Sequence, residues 1–373
     1  SISKELKVNN FVGVVIDGSN IGKIKFEYSK KDDDLQEGDL LELVVGSRRL
    51  FYQVIAGTTK KERLEARNET GFIEGEAVQM GEWQNDKLSF QKFGWVPSIN
   101  TPVFKADTSD ITVGAFQYPL YKLGIIPGTT LPSVVDLNDA VSHHIALIGV
   151  TGSGKSFLAK QIIEDLLQDT KVICVDFTGE WKKKLEPAKY QIINKDDIDT
   201  YLTSTENKIG VFELPALSNT TDVLKETQTF LEKVFGHAKK KYDEDSLARI
   251  VLVLEEAHTI TPETTFLGDL GDYGGNKALV NKMAQVALQG RKYGVGLLVI
   301  AQRTANVSKT VLTQCNTVVC FQAFDETSFT FLGNYVGKDM VQALPNLKKY
   351  HAVVAGKAIK SNMPMIIDLT RQE

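Results

Sequence analysis

Apolar and polar positions along the chain follow two rhythms, and the change between them falls near residue 118. Before it, short apolar runs at Phe11–Ile16, Gly22–Phe26, Leu40–Val45, Leu50–Ala56 and Gly71–Val78 are separated by turn signals such as Asp17-Gly18 and Glu37-Gly38-Asp39. Regular short strands without helix-length patterns predict a small antiparallel barrel or sandwich over residues 1–118. Lys60–Asn68 reads as a charged break within it, a solvated loop or helical turn. The stretch with scattered Pro and Gly from Pro119 through Pro132 reads as a connection.

From about Ser142 the pattern alternates strand and helix. Strand-like runs are His144–Gly149, Lys171–Phe177, Lys208–Glu213, Arg249–Leu254, Val295–Ala301, Thr317–Phe324 and Tyr350–Ala355, with Met365–Leu369 closing. Helical stripes lie between most of them. They include Phe157 to Leu167, with Phe157, Leu158, Ile162, Ile163, Leu166 and Leu167 at helical spacing, then Leu224–Lys240 and Lys277–Lys292. Near-continuous apolar strands with helical crossovers predict an α/β domain over residues 119–373 whose mostly parallel sheet is buried on both faces.

Composition narrows the class. Of 373 residues, 42% are hydrophobic and 24% charged, which suits a globular chain able to bury a sizeable core. No apolar run approaches the roughly 18 residues of a membrane span, and no signal-peptide core opens the sequence, so no membrane role is expected. Cys174, Cys315 and Cys320 sit in or beside apolar runs without metal-ligand spacing, as buried thiols in a reducing cytoplasm would. The net charge of −4 opposes a surface broadly coated for nucleic acid, so any polymer binding must concentrate cations locally.

The chemistry centres on Gly149-Val150-Thr151-Gly152-Ser153-Gly154-Lys155-Ser156. A buried strand leads into it and an amphipathic helix follows, the context that separates a nucleotide loop from a chance match. Glycines let the backbone N–H groups of Thr151, Gly152, Ser153 and Gly154 turn toward phosphate, and the helix N-terminus adds positive potential. Lys155 can neutralise β/γ oxygens of ATP, and the Ser156 hydroxyl can join a Mg²⁺ shell. The strand-like run Arg249–Leu254 ends in Glu255 and Glu256. The first acid suits the metal and the second suits a water molecule whose proton it accepts. Adjacent acids on a strand point to opposite sides, so the strand end must turn for both to serve one site. Gln302, after a buried strand, is placed to sense the γ-phosphate or attacking water. Arg291 ends the preceding helix, where it can offset the dipole or act as an arginine finger on a neighbouring subunit. His258 is a polar residue after the strand that can report nucleotide state, and His143 and His144 read as structural. Asp176 and Glu180 are candidates for water or metal contacts.

Together these motifs resemble the HerA-like branch of the HerA/FtsK superfamily of DNA-pumping ATPases. The resemblance rests on the phosphate loop with His144 ahead of it, and on Asp176-Phe177-Thr178-Gly179-Glu180-Trp181. Glu255-Glu256-Ala257-His258 and Gly290-Arg291-Lys292-Tyr293-Gly294 before Ala301-Gln302-Arg303 complete it. It spans about Tyr121 to Asp368 and implies a RecA-like P-loop domain preceded by a small β-barrel. It further implies ATP and Mg²⁺ as cofactors, Lys155 and Ser156 on phosphate and metal, Glu255 on the metal and Glu256 as catalytic base. Gln302 becomes the sensor and Arg291 the finger in trans. A homo-hexameric ring threading duplex DNA, with a nuclease or other effector, is the implied assembly. One departure is Glu255 where Asp is usual.

A ring lets an acidic protein grip DNA, because copies of one cationic loop line the channel. Trp181-Lys182-Lys183-Lys184 and the Gly-rich stretch Thr261–Lys277 are both candidates. A second function remains open: a nucleotide-controlled scaffold for an effector, as in antiphage assemblies with nuclease or sirtuin-like subunits. In that reading, exposed strand edges of the barrel offer the docking surface.

Overall fold

The computed structural model describes residues 10–28, 34–61, 71–176, 178–213, 220–261, 273–361 and 363–369. Two compact units emerge, residues 1–135 with 332–373, and residues 136–331.

The first unit contains strands β1 (Phe11–Val15), β2 (Lys23–Tyr28), β3 (Leu40–Val45), β4 (Arg48–Lys61), β5 (Gly71–Gln84), β6 (Ser89–Gln91) and β7 (Pro102–Lys105). They pair in the order β2-β1-β7-β3-β4-β5, and β2 also pairs with β5, from Lys23 opposite Val78 to Tyr28 opposite Ile73. The six strands therefore close into an antiparallel barrel, and β6 extends β5 as a hairpin partner. Alternation explains the closure. Ile24 and Phe26 of β2 point inward with Leu41, Leu43, Leu50, Tyr52, Ala77 and Val103, while Lys23 and Lys25 between them remain outside this core.

Closure decides between the two predicted alternatives in favour of the barrel. It also removes the free edges expected of its six strands, since each finds two neighbours. Two local readings are corrected as well. Lys60 and Lys61 are not a break but continue β4, opposite Phe72 and Gly71. Residues 62–68 of the same predicted break lie outside the described residues. The expected connection from Pro119 to Pro132 holds a strand, β8 (Leu120–Ile125), before β9 (Pro132–Asp136). Backbone pairing supplied by other strands overrides the turn propensity of scattered Pro and Gly.

The second unit contains β10 (Ile145–Ile148), β11 (Lys171–Asp176), β12 (Tyr190–Ile193), β13 (Ile209–Glu213), β14 (Ile250–Leu254), β15 (Val295–Ala301) and β16 (Thr317–Cys320). Their order is β12-β13-β11-β14-β15-β10-β16, and every neighbouring pair is parallel. Every residue of β10, β14 and β15 is buried, as strands covered on both faces require. Helix Lys155–Leu166 buries Leu158, Ala159, Ile162, Ile163 and Leu166, while Phe157 of the predicted stripe is 40% exposed. Helices Thr220–Asp243 and Tyr273–Tyr293 meet through Phe235 and Tyr293, whose ring centroids lie 5.3 Å apart. The edge strand β12 had no place in the sequence pattern, because Ile192 on it is half exposed.

The chain then returns to the first unit. β17 (His351–Gly356) and β18 (Met365–Asp368) pair antiparallel, and Asp368 of β18 lies opposite Ile125 of β8. Gln53, fully buried, donates to the Ile366 carbonyl at 2.8 Å and accepts from its N–H at 2.7 Å, so a side chain from β4 reads the β18 backbone as a strand would.

Candidate nucleotide site

Three strands bring the predicted residues to one edge of the parallel sheet. Ile148 of β10 is opposite Ala301 of β15, and Leu254 of β14 is opposite Val299. The loop after β10, the acids after β14 and Gln302 after β15 therefore all leave from carboxyl ends, the edge where α/β sheets bind ligands. β15 runs between the other two, which places Gln302 between the acids and the loop.

The loop's shape follows from its glycines. Gly149 has φ 153°, Gly152 φ 78° and Gly154 φ 122°. A Cβ on Gly149 would sit 2.6 Å from Phe321 Cβ, so only glycine lets the loop leave the strand here. Lys155 follows as the first helical residue and is 7% exposed. Its ammonium donates to the Gly149 carbonyl at 2.6 Å and the Val150 carbonyl at 2.9 Å. Burial lowers its pKa below the ordinary lysine value, opposed by the Glu256 and Glu255 carboxylates.

Ser156 Oγ donates to Glu255 Oε1 at 3.0 Å. Glu255 Oε2 is buried with no hydrogen-bond partner among the described residues. A hydroxyl beside a carboxylate with an unused oxygen is a donor set that suits a hard dication such as Mg²⁺.

The turn that two adjacent acids require is present. Glu256 has left-handed φ 50° and ψ 53°, after which a short 3₁₀ turn spans Ala257–Thr259. This reverses the strand's alternation, so Glu256 faces Gln302, whose Nε2 donates to Glu256 Oε1 at 2.9 Å. His258 Nδ1 lies 3.4 Å from Glu256 Oε2. These residues, with Thr178, Thr259, Arg303 and Asn306, line an open pocket of about 550 Å³.

Arg291 is elsewhere. It lies in the last turn of helix Tyr273–Tyr293, just before Val295 opens β15, whereas Gln302 follows the other end of that strand. Six residue steps separate the ends of β15, about 20 Å at strand rise. The guanidinium therefore stands at the opposite edge of the sheet from the loop of its own subunit.

Residues 121–289 match the family described as helicase HerA, central domain. Over that stretch the chain is similar to HerA helicases. Among its relatives is the DNA double-strand break repair helicase HerA of Pyrococcus furiosus, 26% identical over 189 residues, which are 47% of this chain and 32% of that protein. The protein of the same name from Sulfolobus acidocaldarius is 25% identical over 249 residues, 65% of this chain and 45% of its own. The chain thus aligns with only a third to under half of the length of these curated relatives. Among solved structures, the pCW3 conjugation coupling protein TcpA with ATPγS superposes with a TM-score of 0.51 at 15% identity, covering 96% of this chain and 87% of that one. That likeness is one of fold: a barrel preceding a RecA-like P-loop domain.

Several of the motif residues do structural work, as expected for His144 and against the metal or water contact expected of Asp176. Asp176, 1% exposed, spends both oxygens on its own turn, accepting from the Thr178 and Gly179 N–H groups and the Thr178 hydroxyl, and from the Trp181 N–H at 2.9 Å. It shapes the segment after β11 rather than reaching for metal. His144, at φ 59°, accepts the Leu297 N–H on Nδ1 at 2.9 Å and donates from Nε2 to the Ala287 carbonyl at 2.8 Å. It ties β15 to the helix before it. Of the lysine triplet, Lys182 pairs with Glu213 at 2.8 Å and Lys184 with Glu255 at 2.7 Å, while Lys183 is exposed. Most of the Gly-rich stretch Thr261–Lys277 lies outside the described residues, from 262 to 272. The sequence reading missed Lys184 as a neighbour of Ser156 and Glu255, and its signal was the spacing of four from Glu180 in a one-turn helix.

Proposed function

We propose that this chain hydrolyses ATP with Mg²⁺ in a site completed by a second copy, and that a homo-hexameric ring uses the hydrolysis to move along duplex DNA with a nuclease or other effector partner. One observation carries the reading. The left-handed turn at Glu256 aims the second acid at Gln302 beside the loop, an arrangement for activating water rather than a phosphoryl acceptor. The backbone N–H groups of Thr151 to Gly154 cradle the phosphates, and Lys155 neutralises them. Ser156 and Glu255 hold the metal, which when bound screens charge on the phosphate oxygens. Glu256 accepts the proton of the attacking water, and Gln302 orients that water and registers its consumption. At the far end of β15 from the loop, Arg291 has no nucleotide of its own subunit to reach, which supports a role in trans. The names of the relatives support duplex DNA as the track. Three buried free cysteines favour a reducing cytoplasm, and among the described residues no helix is long and apolar enough to cross a membrane. In this reading residues 1–118 serve as the barrel module and 119–373 as the motor, although the last strands pack within the compact unit of the first 135 residues.

A complementation assay tests it. Lys155→Ala removes a subunit's own nucleotide site and Arg291→Ala removes only what it lends. Each variant alone should lose about 10³-fold in duplex-stimulated ATP hydrolysis. Mixing the two should restore part of the rate, because some junctions then pair an intact loop with an intact finger. Absence of recovery in assembled mixtures rejects the shared site, and absence of stimulation by duplex DNA at low salt rejects the motor.

A further inference from the structure

Lys184 stands where the metal-binding oxygens meet an outer carboxylate. Its ammonium lies 2.7 Å from Glu255 Oε1 and 3.4 Å from Ser156 Oγ. It also lies 2.8 Å from Glu180 Oε2. The segment holding it is well anchored: Trp181 is fully buried, its N–H is held by Asp176, and the ammonium sits 5.4 Å above its ring centroid. Lys184 is therefore a placed cation and not a surface charge that happens to be near. The side chains differ in their outlook. Glu255 is 10% exposed, Lys184 26% and Glu180 51%, so Glu180 marks an outward route for the ammonium.

An ammonium and a dication seek the same hard oxygens and repel each other at short range. We propose that Lys184 is a built-in competitor for the divalent cation. It holds Ser156 and Glu255 together, and it yields its place by shifting onto Glu180 as the metal enters. The Lys184–Glu180 pair thereby sets how much divalent cation the site needs. Lys184 is a positioning residue in this scheme, acting through Glu255 and Ser156, and the scheme rests on the assignment of those two to the metal.

The test uses the full chain with ADP, and Mn²⁺ followed by electron paramagnetic resonance. Lys184→Met should tighten Mn²⁺ binding about tenfold or more, since a unit positive charge leaves a partly buried metal site. Lys184→Arg keeps the charge and should stay near wild type. Glu180→Gln removes the receiving carboxylate and should weaken Mn²⁺ binding. ADP affinity in EDTA should change little in all three. Equal or weaker Mn²⁺ binding in Lys184→Met overturns the proposal, as does an unchanged Glu180→Gln. If Lys184→Met does not fold, Glu180→Gln carries the test with the opposite sign. A wild type that binds ADP no better with Mn²⁺ than in EDTA, and is indistinguishable from Ser156→Ala, would instead overturn the metal assignment beneath it.

Discussion

The barrel and the nucleotide site handle buried polar groups in opposite ways. On the barrel strands, Gln53 bonds the Gly38 carbonyl and both polar groups of the Ile366 backbone. Gln79, equally buried, donates to the Ile21 carbonyl at 2.7 Å and accepts from the Phe93 N–H at 2.8 Å. Glu42 meets Arg49 through two bonds of 2.9 Å. Around the nucleotide site, Glu255 Oε2, Trp181 Nε1 and Thr261 Oγ1 are buried with no partner among the described residues. Glu256 holds a left-handed backbone that a non-glycine residue adopts at a cost of about 1 kcal/mol or more. A scaffold closes its polar groups on one another, whereas a site keeps some capacity unspent for what it binds.

The largest effect is expected at Glu256. Glu256→Gln preserves shape and should lower hydrolysis about 10³-fold with little change in melting temperature. A large loss of stability would mean that Glu256 is scaffold after all. Next in size is Gln53→Leu in the barrel. It strands the Ile366 N–H and carbonyl and should cost about 3 kcal/mol in denaturant unfolding, with nucleotide affinity retained. A cost within error of zero would show the barrel to be no tighter a polar network than the site.

Thr261→Val probes the opposite case. Thr261 is fully buried and its hydroxyl has no partner, so the isosteric apolar residue should stabilise the fold by about 1 kcal/mol. A loss instead would reveal a partner for that hydroxyl. The smallest effect is on pH. Burial, reinforced by the neighbouring His143 and opposed by the Ala287 carbonyl, lowers the His144 pKa from the ordinary 6.5. The unfolded chain then binds a proton that folded His144 refuses. Stability is full above about pH 6.5, falls as pH drops through the window below it, and stops falling once folded His144 protonates. Asn tolerates the left-handed backbone, so His144→Asn should give a shallower loss of melting temperature between pH 6.5 and 5. An unchanged slope would remove His144 from the acid response.

Much of this was legible in the chain. The loop Gly149–Ser156, the helix behind it and the strands 250–254 and 295–301 follow from periodicity and spacing, because a buried parallel strand must be apolar throughout and a phosphate loop must have glycine where φ is positive. What was missed has physical reasons too. β12 is an edge strand with an exposed apolar face, so its pattern carried little signal. β8 hides among turn-forming residues because one pairing partner, β18, is more than two hundred residues away along the chain and the other, β9, opens on a proline.

Local pattern and strand direction were enough to read a small antiparallel β module, a P-loop domain and most of the side chains that gather at one sheet edge. Packing in three dimensions settled that the barrel closes, that Glu256 turns back toward Gln302, and that Arg291 stands at the far end of β15 from its own loop. It alone placed Lys184 on the oxygens of Ser156 and Glu255. Each of these is a meeting of groups remote in sequence or a backbone turn that no propensity requires, and such features are fixed by packing.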